Sequence, residues 1–415
     1  MIHQITIKNF KSLRCITELP IKPLTIIIGP NASGKSNLLD SLEIMQQIVR
    51  HKGTIMTRRE DELPVVSLSD VLWRKAESTE EMSWKIACTL NTDEKKRRTE
   101  NAQQSYGIEY SLALRSFDEM TPVISQESLK AKWPPFEDQT RHYLSRKDTA
   151  IEVQGLKNGA LRQEETDISP TDLALHSYAR ITFPAVKSVA DYIKEWAFFK
   201  IIPDEARRLH TWSNSSKYLR LGKDGRNLSH VLHYLRQERK IDFNVIQEEM
   251  RKILNISELY TRKEDLKERH LYKVHLDVKE LPFASLKPFS LDNLSDGTVG
   301  LLALLTALSD PAPLICIEEP ERSIHPKMLS RLAYFLHEAV QRTQLIITTH
   351  NADFLDHFDP YQQDYVQVLI AYRDKEHTTQ FAQIRHIQHV KAWLEDYMLG
   401  QIWTMGQIEE MLEVE

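Results

Sequence analysis

Apolar and polar residues alternate in MIHQITIKNF, with Ile5 and Ile7 two apart and Phe10 closing the stretch, and this pattern predicts a strand. LTIIIG follows as a nearly continuous apolar, β-branched run, the pattern of a strand buried on both faces. From Asn37 to Val49 the apolar residues return at helical spacing, so a glycine-containing loop separates strand from helix. MSWKIACTL and SYGIEYSLAL read as the arms of a hairpin around NTDEKKRRTENAQQ, whose Lys95 to Arg98 run reads as a solvated tip. From Phe117 to Pro288 the pattern is mixed and mostly helical, without a sustained heptad. Strand and helix then alternate in LSDGTVGLLALLTAL, PLICIEEP, SIHPKMLSRLAYFLHEAV and QLIITTH, which predicts α/β layering with parallel strands. A short hairpin, YVQVLIAY with TQFAQI, precedes a helical tail. The expected organisation is an N-terminal lobe over residues 1–115, a mainly helical insertion over 116–285, a C-terminal lobe over 286–388 and a helical tail over 389–415. The two lobes are expected to be parts of one fold.

Composition narrows the setting. The chain has 415 residues, 41% of them hydrophobic, enough for a large core or two modest ones. A formal charge of -5 and a pI near 6.4 do not suit a protein that coats nucleic acid through its overall field. Cys15, Cys88 and Cys316 are far apart and lack metal-ligand spacing, so they read as reduced thiols. No export signal opens the chain, and no apolar run approaches the roughly 18 residues of a membrane span. A cytoplasmic protein without a membrane partner is expected.

Gly29-Pro30-Asn31-Ala32-Ser33-Gly34-Lys35-Ser36 fits G-x-x-x-x-G-K-[ST] and lies between a buried strand and a helix start, where its mechanism requires it. Glycines let backbone N–H groups turn toward phosphate oxygens, and the helix N-terminus adds partial positive charge. Lys35 would reach the β and γ phosphates, and the Ser36 hydroxyl would ligate Mg²⁺. PLICIEEPE delivers Glu318 and Glu319 at the end of a buried strand. The first could hold Mg²⁺ and the second could orient or deprotonate the attacking water. QLIITTH likewise ends a strand at His350, whose imidazole could hydrogen-bond the γ-phosphate or that water. Ser295, Asp296 and Gly297 open an apolar helix, so a hydroxyl and free N–H groups again face outward.

Leu294-Ser295-Asp296-Gly297-Thr298 resembles the signature sequence of the ABC ATPase superfamily. Together with ITIKNFKSL, GPNASGKSNLLDSL, IEEPERSIHP and IITTHNADFLD it resembles the RecF-like and SMC-like ATPases of DNA repair and anti-phage defence, including the ATPase part of the OLD family. The likeness covers roughly residues 1–115 and 285–372. It implies an α/β, ABC-type ATPase head, a P-loop NTPase with a mixed sheet and flanking helices, with the helical insertion between its lobes. It also implies ATP and Mg²⁺ as cofactors, with Gly29 to Ser36, Asn37 and Lys11 near the nucleotide. Ser36 and Glu318 would be at the metal, and Glu319, His350 and Lys35 would serve catalysis. In such proteins two heads sandwich ATP, so Ser295 and Gly297 would act on the nucleotide of a second copy, in a homodimer or higher even oligomer. Glu318 stands where the family usually has aspartate, which suggests slow turnover. LGKDGRNLSHVLHYL resembles the insertion of small bacterial ATPases encoded beside an effector. The resemblance therefore implies an anti-phage switch controlling a separately encoded effector, with a TOPRIM-type or other nuclease as a candidate. A RecF-like DNA-binding repair factor and an ATP-stabilised scaffold with negligible turnover are the alternatives.

Two stretches stay open. Between Ala206 and Lys240 nine basic residues (Arg207, Arg208, Lys217, Arg220, Lys223, Arg226, Arg236, Arg239, Lys240) face two acids, Asp224 and Glu238. Nucleic acid could bind there, with Trp212, Tyr218 and Tyr234 to stack, or the stretch could be a solvated face. In the tail, Trp393, Tyr397, Trp403 and Met405 could pack on the chain's own core or dock a partner.

Overall fold

The computed structural model describes residues 1–51, 71–73, 80–91, 105–116, 122–132, 140–157, 160–177, 184–213, 219–254, 256–266, 271–280, 288–322 and 324–406. The Lys95 to Arg98 tip, Lys217 and Tyr218 lie outside them. The chain divides into two compact units, one of Met1–Trp196 with Gln367–His386, the other of Ala197–Val366 with Ile387–Met411. The first unit begins with β1 (Ile2–Phe10), β2 (Leu13–Pro20) and β3 (Leu24–Ile28), then the helix α1 (Lys35–Arg50). Leu24, Ile26, Ile27 and Ile28 are all fully buried, with Thr25 between them, as a strand covered on both faces requires. On α1 the buried Leu38, Leu39, Leu42, Met45 and Val49 recur at three- and four-residue steps, the stripe that turns a helix toward a core.

β4 (Met82–Asn91) and β5 (Ser105–Ser116) form the expected antiparallel hairpin. They continue into β6 (Pro122–Ala131), β7 (Arg141–Lys147), β8 (Ala150–Lys157) and β9 (Ala160–Asp167), giving an eight-stranded antiparallel sheet in the order β2-β1-β4-β5-β6-β7-β8-β9. The expectation of a mainly helical insertion over 116–285 is therefore corrected: four of its segments are strands of this sheet, and more strands follow. RHYLSRK and ALRQEETD carry too few apolar residues to announce strands, and hydrogen bonding to the neighbouring strand puts them in the sheet.

The second unit contains β10 (Ala197–Phe199), β11 (Trp212–Ser213), β12 (Ile256–Asp265), β13 (Leu271–Glu280), β14 (Phe289–Ser290), β15 (Leu314–Glu318) and β16 (Gln344–Thr349). β10, β15 and β16 lie side by side in parallel register. β12 and β13 form a long antiparallel pair, with β11 and β14 on β13. The helices Pro203–Arg207, Leu228–Glu238 and Lys240–Leu254 here, with Ala174–Ser177 and Pro184–Lys194 of the first unit, are the described helices of the expected insertion. The chain then returns to the first unit as the antiparallel hairpin β17 (Val366–Arg373) and β18 (Thr379–Gln383), with β17 beside β3. The sequence boundaries at 115 and 285 do not coincide with the units, which divide at Trp196 and Ala197. Short helices at Val390–Trp393 and Leu399–Thr404 form the described part of the tail. Among the described residues no helix is long and apolar enough to cross a membrane.

Candidate active site

The phosphate-loop half lies in the first unit. Gly29 ends the buried strand, and a Cβ on it would meet the Ala371 carbonyl oxygen at 2.2 Å, so β17 backbone sits where a side chain would be. Gly34 has φ +103°, and a Cβ there would lie 2.0 Å from Thr379 Oγ1 and 2.8 Å from Ser12 Oγ. Both glycines are thus required by close approach. Behind the loop, Thr379 Oγ1 donates to the Ser33 carbonyl (2.8 Å), Thr379 N–H donates to the Ser12 carbonyl (2.9 Å) and Asn37 Nδ2 donates to Ser12 Oγ (2.6 Å). Arg373 Nε donates to the Ala32 carbonyl at 2.9 Å, bracing a residue with φ +63°. The hairpin 366–383 and the turn after β1 therefore form the loop's seat. Pro30, Asn31 and Ala32 are exposed on its outer side.

Lys35 is 7% exposed, and its ammonium donates to the carbonyls of Gly29 (2.7 Å) and Pro30 (2.9 Å). No side chain caps α1 and no acid stands in its first turn, so neither competes with an anion at this 16-residue helix. A triphosphate fits this arrangement: charge-assisted bonds from Lys35 to phosphate are stronger than those to neutral carbonyls. Ser33 Oγ is buried and has no partner among the described residues. Ser36 opens the helix beside Lys35, as expected. Lys11 does not point its charge at the loop's backbone. It pairs with Asp40 of α1 at 2.6 Å, from a residue with φ +47°.

The acidic half lies in the second unit. All five residues of β15 are buried, so Glu318 is carried to the strand end at 8% exposure. Its Oε2 accepts from Lys200 Nζ at 2.7 Å. Glu319 adopts φ +47°, and its N–H donates to the Thr348 carbonyl of β16 (2.9 Å), which swings the chain out of the strand. Glu319 Oε1 comes within 3.3 Å of Nδ1 of His350, the residue after β16. Parallel pairing of Glu318 with Thr348 sets both strand ends level, which is why two residues distant in sequence meet. Among the described residues no group of three or more His, Cys, Asp or Glu side chains could hold a metal alone. The donor set suits Mg²⁺ held by one carboxylate together with phosphate oxygens and water.

Glu321 was not anticipated. It is 6% exposed, burial raises its carboxyl above the usual range, and Oε1 accepts from Thr349 Oγ1 at 2.6 Å. Thr349 Oγ1 accepts in turn from Asn351 N–H, and Asn351 Oδ1 accepts from Phe354 N–H (2.8 Å), so one chain of hydrogen bonds fixes the segments on both sides of His350. The sequence signal was slight: a glutamate after a proline turn looks like any exposed acid.

The helix Asp296–Leu308 starts as expected, with Ser295 as N-cap accepting from Thr298 N–H. Ser295 is exposed and Gly297 lies in the first turn. Arg207 fixes this helix start through Asp296 Oδ1 (2.6 Å) and the Leu294 carbonyl (2.9 Å). Other members of the basic stretch are paired as well: Arg208 with Glu205, Arg220 with Asp310, Arg226 with Asp224 and Arg239 with Asp242. Its excess charge is therefore much smaller in space than along the chain. In the tail, Tyr397 and Met405 are exposed, while Gly400 packs on Ala352 and donates from its N–H to Asp356 Oδ1 (2.6 Å).

A family model described as "AAA domain, putative AbiEii toxin, Type IV TA system" matches residues 24–356. Over 107 residues the chain is 33% identical to the chromosome partition protein Smc of a Synechococcus strain, which covers 26% of this chain and 8% of that protein. The match thus takes in less than a tenth of the relative. Among solved structures, an Smc head bound to the C-terminal winged-helix domain of ScpA is similar with a TM-score of 0.50 at 13% identity, covering 95% of this chain and 99% of that one. The Smc head with an extended coiled coil, bound to the C-terminal domain of ScpA, from Pyrococcus furiosus gives 0.48 at 13% identity, covering 95% and 98%. The fold is an SMC-head, ABC-like α/β fold, consistent with a P-loop NTPase.

Proposed function

The chain belongs to the AAA-domain ATPase family whose model spans residues 24–356, and from that premise we propose that it is an ATP-hydrolysing switch that dimerises head to head, or as a higher even oligomer, and controls a separately encoded effector. The contact of Glu319 with His350 at 3.3 Å carries the hydrolytic reading. Glu319 would accept the proton of the attacking water, and His350, beside it, would orient that water against the γ-phosphate. Lys35 and the start of α1 would hold the β and γ phosphates, and Ser36 and Glu318 would serve Mg²⁺. The metal supplies charge neutralisation of the phosphates when bound. Ser295 and Gly297 stand at an exposed helix start, the placement needed to act on a nucleotide held by a second copy. Residues 1–115 and 286–388 would be the two ATPase lobes.

An OLD-related anti-phage role and a cytoplasmic location accompany this reading through the motif resemblance. The similar Smc head was solved with a ScpA domain on it, which supports a protein partner here. The alternative of a DNA-tracking repair factor has less support, because the basic stretch is largely paired with acids. Glu319→Gln decides the catalytic assignment: ATP binding and ATP-dependent dimerisation should persist while phosphate release falls at least about a hundredfold. Unchanged release would refute it. No release from the unaltered protein would favour the scaffold.

A further inference from the structure

We infer that the Lys200 ammonium is a tethered counter-cation for Glu318, so that metal bound with nucleotide must displace it; this rests on Glu318 being the metal-holding acid. The carboxylate is 8% exposed, and an ionised group so buried needs positive charge nearby. Lys200 supplies it at 2.7 Å while remaining 45% exposed, reaching down from the surface. Its place is set by topology. β10 pairs in parallel with β15, Phe199 opposite Ile317, so Lys200, the residue after β10, comes beside Glu318, the last residue of β15.

The lysine's backbone is also held in place. Its N–H donates to the Lys223 carbonyl (2.7 Å), and Ile202 N–H donates to the Asp224 carbonyl (3.0 Å). The turn that supplies these carbonyls is itself fixed. Asn227, 2% exposed, accepts from Gly222 N–H (2.7 Å) and donates to the Arg220 carbonyl (2.8 Å). Gly225 has φ +87°, and a Cβ there would press on Ala206 at 3.2 Å. The LGKDGRN stretch is thus a platform for the segment that presents Lys200. An ammonium and a divalent cation compete for the same oxygen, and the lysine never diffuses away.

Titration of a fluorescent ATP analogue against the full chain at graded Mg²⁺ tests this without turnover. Lys200→Met and Lys200→Gln should both lower the half-saturating Mg²⁺ roughly fivefold, the scale of a partly exposed ion pair. Lys200→Arg should stay near the unaltered protein. An unchanged or raised Mg²⁺ requirement in Lys200→Met and Lys200→Gln would overturn the inference, the raised case marking the lysine as a phosphate ligand. Glu318→Gln separates the two levels. A flattened Mg²⁺ dependence there upholds the metal assignment even if the lysine variants do not shift. An unaltered dependence removes the assignment, and the inference with it.

Discussion

Gly34→Ala tests the seat of the phosphate loop. Two penalties follow from the geometry. Gly34 has φ +103°, where an L side chain costs about 1–2 kcal/mol. The new methyl would also lie 2.0 Å from Thr379 Oγ1 and 3.0 Å from Thr379 Cβ, well inside contact distance, and overpacking of this kind costs about 1–3 kcal/mol. The hydroxyl cannot simply rotate away, because it also donates to the Ser33 carbonyl. Together the penalties reach about 2–5 kcal/mol, and the loop relieves them by leaving its phosphate-binding shape. Nucleotide binding must then restore that shape, so affinity should fall at least about thirtyfold, the equivalent of some 2 kcal/mol. Equilibrium titration with a fluorescent ATP analogue reads this directly. Thr379→Gly in the Gly34→Ala background removes the Thr379 overlap and leaves the dihedral cost and the 2.8 Å approach to Ser12 Oγ, so it should recover part of the affinity. Affinity within about threefold of the unaltered protein in Gly34→Ala would refute the reasoning, as would a double variant no better than the single.

Two further outcomes follow from the packing. Glu127 is fully buried among the N–H groups of Ala174 and Leu175 and the Tyr110 hydroxyl, and burial pushes its carboxyl up from 4.5 to about 6. Between those values the folded chain holds this proton more tightly than the unfolded chain, so stability should fall as pH rises through the window, by about 2 kcal/mol. Urea midpoints at pH 4.5 and 7 should show this slope and Glu127→Gln should flatten it; equal slopes would contradict the assignment. Gly400→Ala places a methyl 2.0 Å from the Ala352 carbonyl oxygen, so the helix 399–404 should lift from the segment after His350 at a cost of about 1–3 kcal/mol. Faster amide exchange at position 400 and at Phe354 would register the loosening, and unchanged exchange would count against that contact.

Much of the site was legible because its chemistry is local. Gly29 to Ser36, Glu318, Glu319, His350 and Ser295 each follow or begin an element with a strong apolar pattern, and the structure puts them at those element ends. The polar strands 141–147 and 160–167 were not legible, since backbone pairing with a neighbouring strand, invisible in one segment's periodicity, holds them. Lys200 and Glu321 were missed for the same reason: nothing beside them in the chain distinguishes them from exposed charges.

By itself the sequence determined where the strands and helices around the site stop and which groups stand at those stops, because apolar periodicity and glycine-lysine-serine chemistry act within a few residues. Only the tertiary structure decided which stops meet. Parallel register brings Glu319 to His350 and Lys200 to Glu318, and close approach of Thr379 and Ala371 leaves room for nothing larger than glycine in the loop. Contacts between residues a hundred or more positions apart depend on strand order and burial, which no short stretch of sequence encodes.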